Sequence, residues 1–104
     1  MYDAHLVSIL SQEEMDFLRT EFDKRGNNYW IGLQKKNGDP FARWSDGHTL
    51  NFTAWDYDRP YDSQPDECVF VTFNTINLPY SWIDDVCTND FHYVCKRIGK
   101  LTYL

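Results

Sequence analysis

The stretch WDYDRPYDSQPDECVFVTFNTINLPYSWIDDVCTNDFHYVC, residues 55–95, decides the fold of this chain. Its fixed points are Trp55, Pro60, Cys68, Trp82, Asp84, Cys87 and Cys95. Between 56 and 67 the only apolar bodies besides the two prolines are Tyr57 and Tyr61, set among five acidic residues, so this segment is a solvated loop and not core. Residues 68–73, Cys-Val-Phe-Val-Thr-Phe, then read as a buried strand from their β-branched and aromatic content. A turn over 74–80, a short strand at 81–84 and a last strand at 92–98 complete the stretch. Cysteines in the loop region and in the terminal strand are the pattern of a disulfide-pinned loop. With three of them, one thiol is left over: either its partner lies upstream of Met1, or it is free.

Working back toward the N-terminus, Leu50, Phe52 and Trp55 anchor the approach to the loop, and Trp55 is expected in the core. Ser45-Asp46-Gly47 and Asn37-Gly38-Asp39-Pro40 are turns by composition. Between them, 41–44 is expected to pair as a hairpin with the dense apolar strand Tyr29-Trp30-Ile31-Gly32-Leu33, where Gly32 marks a bulge or a close backbone approach. A helix over 12–24 is announced by Ser11 as N-cap, Glu14 completing a capping box, and Leu10 with Met15 as a hydrophobic staple. Met15, Leu18 and Phe22 give that helix one buried face. Residues 4–10 form a short strand leading into it. Residues 99–104 read as a frayed tail or the start of a linker.

The composition bounds the rest. One domain of 104 residues is expected, and aromatics at 17% supply core area despite few aliphatic residues. The net charge is -6 and no basic run exceeds two residues, so nucleic acid is not an expected partner. No apolar stretch is long enough to cross a membrane, and no signal-peptide core follows Met1. The disulfide pattern nevertheless points to an oxidising, extracellular setting, in which Asn51-Phe52-Thr53 would be a usable N-glycosylation sequon.

These ordered features resemble a C-type lectin-like domain. The matching segments are Ala-His-Leu-Val-Ser-Ile before a capped helix, Trp30-Ile31-Gly32-Leu33, Phe41-x-x-Trp44-Ser45-Asp46-Gly47, and Phe52-x-x-Trp55. They continue through Asp66-Glu67-Cys68, Trp82-x-Asp84-x-x-Cys87 and Tyr93-Val94-Cys95. The resemblance implies an α+β fold with a helix packed on antiparallel strands and a long ligand loop. It also implies a Cys68–Cys87 disulfide and leaves Cys95 unpaired, since its usual partner lies upstream of the Ala-His-Leu segment. The family's first strand and most of its first helix would precede Met1. Without them the last strand is expected to expose a backbone edge, and Cys95 to offer a route to a dimer.

In sugar-binding members a calcium ion is held by a Glu-Pro-Asn or Gln-Pro-Asp tripeptide with a cis proline, an acid before the cysteine, and the Asn-Asp of Trp-Asn-Asp. Here Gln64-Pro65-Asp66 matches in letters but sits beside Cys68, too late in the loop. By register the cis proline is Pro60, so Arg59 and Tyr61 replace two oxygen ligands and Ile83 a third. Calcium needs six to eight hard oxygens. The candidate metal ligands that remain are Asp62, Asp66, Glu67 and Asp84. At the neighbouring, non-sugar position Asp39, Asp62, Asp66 and Glu67 offer carboxylates, but Lys35 replaces one ligand, so calcium binding is expected to be weak or absent. The ligand face is assigned to Tyr57, Arg59, Tyr61, Gln64, Asp66 and Asp84, with a protein or glycan as partner. The alternative is a calcium-dependent galactose-type lectin. Catalysis is a remote third reading: His5, His48 and His92 follow no metal or nucleophile spacing, and Asp84 and Asp85, adjacent on a strand, point to opposite faces.

Overall fold

The computed structural model describes residues 4–22, 28–36, 41–60, 67–73, 75, 78–97 and 100–103, the side chains of Ala4, Lys96, Arg97 and 100–103 excepted. Strand β1 (Ala4–Leu6) leads to helix α1 (Gln12–Phe22), followed by β2 (Asn28–Lys35), β3 (Arg43–Trp44) and β4 (Glu67–Thr72). Strands β5 (Ser81–Asp85), β6 (His92–Arg97) and β7 (Lys100–Tyr103) end the chain. The helix begins where the capping residues place it. Ser11 Oγ accepts from the Glu14 amide at 3.2 Å, and Glu14 Oε1 reaches back to the Leu10 amide at 3.0 Å.

The strand order is β1-β6-β2-β4-β5, with β3 added to β2 and β7 added to β6. Among the described residues all ladders but one are antiparallel. Tyr29 and Trp30 of β2 run parallel to His92 and Tyr93 of β6, so the sheet is mixed rather than purely antiparallel. The chain crosses over between β5 and β6 and enters beside β2 in the same direction, a relation that no local pattern encodes.

Two expectations are corrected at the C-terminus. The segment read as a frayed tail supplies β7, which pairs Val94 with Tyr103 and Cys95 with Thr102. The edge expected on β6 is covered as well, because β1 pairs Leu6 with Cys95 and Ala4 with Arg97. An open ladder of N–H and C=O groups is costly to leave unpaired, and Thr102 and Tyr103 are residue types that favour a strand.

The core collects Met15, Leu18 and Phe22 of α1 with Tyr29, Ile31 and Leu33 of β2, Val69 and Val71 of β4, Trp82 of β5 and Val94 of β6. Alternation along the strands sends Trp30 and Phe70 to the other face, where they stack with Phe91 at ring separations of 5.1 and 4.6 Å. Gly32 meets its sequence expectation. The β2–β4 register shifts between Ile31 and Gln34, and a Cβ on Gly32 would lie 2.8 Å from the Leu6 carbonyl oxygen.

Candidate functional site

The base of the long loop is fixed by Trp82. This ring is fully buried and receives Trp44, Phe52 and Trp55 edge-on at centroid separations of 5.6, 5.8 and 5.8 Å. Backbone bonds tie the outgoing chain to β5: the Trp82 amide donates to Ala54 O at 2.7 Å, and the Asp56 amide to Trp82 O at 3.0 Å. Trp55 is therefore half-buried at the core's margin rather than enclosed within it. The loop next turns through Asp58, whose φ of 58° lies in the left-handed region that Asp tolerates better than most residues. It then reaches the Arg59–Pro60 peptide bond, which is cis as its register implied. The disulfide joins Cys68, at the start of β4, to Cys87, just past β5, with Cα atoms 5.0 Å apart.

Asp84 and Arg59 meet at this base. Asp84 lies opposite Val69 in the β4–β5 ladder with its side chain 3% exposed. The Arg59 guanidinium donates through Nη1 to the Asp84 carbonyl at 2.7 Å and to its carboxylate Oδ1 at 3.2 Å. An internal cation thus neutralises the acid that the sequence reading had assigned to metal or ligand. Glu67, also 3% exposed, faces Lys35 across the β2–β4 ladder. Both acids border a cleft of about 160 Å³ whose walls are largely apolar, formed by Leu50, Trp55, Val69 and Ala42 among others. Phe41, 65% exposed, also lines this cleft, and Tyr57, close in sequence to the lining residues Trp55 and Pro60, is 87% exposed.

Of the predicted site residues, Tyr57, Arg59, Glu67 and Asp84 are described, and Arg59 with Asp84 is the pair brought into direct contact. Tyr61, Asp62, Gln64, Asp66 and Asp39 lie outside the described residues. Among the described residues no group of three or more His, Cys, Asp or Glu side chains is placed to hold a metal ion. Asp85 has a structural role: its carboxylate accepts from the Val86 amide at 2.7 Å and from Asn89 Nδ2 at 2.9 Å. Cys95 is 8% exposed, and burial pushes its thiol pKa up from 9.0. A thiol so little exposed offers a second chain small access, and the dimer route expected for Cys95 stays an expectation.

Phe41 was expected within a strand, yet β3 begins at Arg43. The signal that places it at the surface is alternation: Trp44 is buried, Arg43 exposed, Ala42 half-buried and Phe41 exposed. A polar cluster that no sequence pattern announces links the segment before α1 to the turn after β3. Ser8, 1% exposed, donates to Asp46 Oδ2 at 2.5 Å, and His48 Nδ1 lies 2.9 Å from the same oxygen. Burial alone would raise the Asp46 pKa. The Ser8 hydroxyl, followed by the His48 backbone and ring, outweighs that and holds it below the ordinary 3.8. No spacing rule connects Ser8 with Asp46, since their contact depends on tertiary packing.

The C-type lectin domain model matches residues 1–97. C-type mannose receptor 2 of Rattus norvegicus is 35% identical over an aligned length of 101, covering 92% of this chain and 7% of the receptor. The structure of human lithostathine matches with a TM-score of 0.80 at 31% identity, over 93% of this chain and 68% of that one. The C-type lectin domain of murine dendritic cell inhibitory receptor 2, solved in complex with N-glycan, matches with a TM-score of 0.71 at 29% identity, over 85% and 66% of the two chains. Fold and loop base together define a lectin-type domain with an α+β architecture and a pinned loop. The chain belongs to the C-type lectin domain family, and it spans a small fraction of the receptor's length.

Proposed function

We propose that this chain is a lectin-like recognition module that binds a protein or glycan through the face carrying Tyr57, Arg59 and the neighbouring cleft, with little or no dependence on calcium. The observation that carries the reading is the Arg59 guanidinium on the Asp84 carboxylate. A cation built into the chain takes up the charge a metal would otherwise balance, and repels a second cation beside it. Tyrosine and arginine are also residue types that dominate binding hot spots, and Tyr57 is exposed. The net charge of -6 argues for a ligand other than nucleic acid, and the kinship with receptors supports an extracellular setting. No described helix is long and apolar enough to cross a membrane. The burial of Cys95 argues for a module that does not dimerise through that thiol. We assign it no catalytic role, since kinship with lectins supports recognition.

A galactose-type, calcium-dependent reading is favoured by one feature, the letters Gln64-Pro65-Asp66. Calorimetric titration with calcium, and a glycan array developed with calcium or with EDTA, separate the two. The proposal expects no heat of binding up to millimolar calcium and ligand spots that survive EDTA. Saturable calcium heat with sugar spots lost in EDTA would establish the second reading instead.

A further inference from the structure

We infer that Asn51 is a site of N-linked glycosylation, carrying an oligosaccharide beside the ligand cleft and not within it. The inference rests on the extracellular setting proposed above. Asn51-Phe52-Thr53 is the only Asn-x-Ser/Thr triplet in the chain, with no proline at its middle position. Such triplets arise by chance, and this one is distinguished by how the fold displays it.

From 50 to 54 burial alternates strictly. Leu50, Phe52 and Ala54 are half-buried and pack against the core, whereas Asn51 and Thr53 are exposed. Phe52 seats its ring edge-on against Trp82 at 5.8 Å, and the Ala54 carbonyl accepts from the Trp82 amide. Period-two alternation of an extended segment places i and i+2 on one side. Both polar groups of the triplet therefore share the solvent face, held there by anchors on either side. Leu50 lines the cleft, so the outward phase of Asn51 sets an attached chain at the cleft's rim.

The co-substrate is a lipid-linked pyrophosphate oligosaccharide. The Asn51 amide nitrogen attacks the anomeric carbon, forming the N–C bond as the C–O bond to pyrophosphate breaks. The lipid pyrophosphate leaves with the bonding electrons, the amide gives up one proton, and nothing is oxidised or reduced. Because the product projects into solvent, the folded domain accommodates it without repacking Phe52.

The test is translation of the full chain, behind a cleavable secretory leader and followed by a reporter sequon, in the presence of microsomes. Each chain is then treated with peptide N-glycosidase and mapped by mass spectrometry. The expected result is two occupied sequons in the natural chain, conversion of Asn51 to Asp by the glycosidase, and loss of one glycan in N51Q and in T53A but not in T53S. An occupied reporter with unmodified Asn51 overturns the inference, as does a second glycan persisting in N51Q. The reporter proves translocation independently, so this outcome is distinct from failure of the extracellular reading, which is tested by locating the native protein.

Discussion

Replacing Arg59 by glutamine tests the central claim about the loop base. The change removes a cation that lies 3.2 Å from Asp84 Oδ1 and 2.7 Å from its carbonyl. Leaving a deeply buried charge without its partner costs about 3–5 kcal/mol. The Asp84 side chain is 3% exposed, but that of Arg59 is 23% exposed, so water screens part of the pair. We expect a net loss of about 2–3 kcal/mol, discounted for that screening. For a domain of this size the melting temperature should fall by roughly 10–20 °C. The new amide oxygen also replaces a repelling charge with a calcium-compatible donor. If it completes a site with a Kd of about 1 mM, then at about 10 mM calcium binding restores about 1.4 kcal/mol. That is a recovery of roughly 5–10 °C. Melting curves for the natural chain and the variant, each with calcium and with EDTA, give both numbers. The reasoning is refuted if the natural chain gains as much from calcium as R59Q does, or if R59Q melts within about 2 °C of it. A cycle with D84N supplies an internal check: the double variant should be less destabilised than the two single losses summed, by about 1–3 kcal/mol.

Other expectations concern the frame around the loop. Asp46 has a folded pKa below its ordinary 3.8, so its contribution is fully present above that value and is lost as pH falls through the lowered folded value; S8A should shrink this acid-side loss in denaturant melts at about pH 7 and pH 3. The buried, protonated thiol of Cys95 should react with a thiol reagent far more slowly in the native chain than in denaturant, and equal rates would show that the thiol is accessible in solution. Adding a methyl at Gly32 drives a Cβ toward the carbonyl oxygens of Leu6 and Val7, 2.8 and 3.1 Å away, so G32A should lose about 1–3 kcal/mol by denaturant titration. Removing the Cys68–Cys87 bridge, which spans 19 residues, should cost about 2–4 kcal/mol, read the same way after substituting both cysteines by serine.

Much of this fold was legible in local pattern. The capping residues Ser11 and Glu14, the 3.6-residue stripe of Met15, Leu18 and Phe22, and the strands after Asn28, Cys68 and Ser81 depend on neighbours a few positions away. Gly32 disclosed its bulge because a glycine inside an apolar strand has few other uses. Phe41 was misplaced because residue type favoured a strand, whereas the phase set by Trp44 decided its exposure. Strand β7 was not legible because it is stabilised by β6 beside it and not by any period of its own.

At the loop, the chain by itself determined the identities: a proline in register at position 60, an arginine where an oxygen ligand is usual, and an aspartate after Trp82-Ile83. Through the family resemblance it therefore implied that the usual set of metal ligands lacks members here. Only the tertiary structure decided which contact forms at that position. Arg59 and Asp84 are 25 residues apart, and their contact depends on β5 pairing with β4 while the loop base stays anchored on Trp82. Residue type sets what a side chain can bond, but burial and distance set whether the bond forms, and both belong to the packed chain.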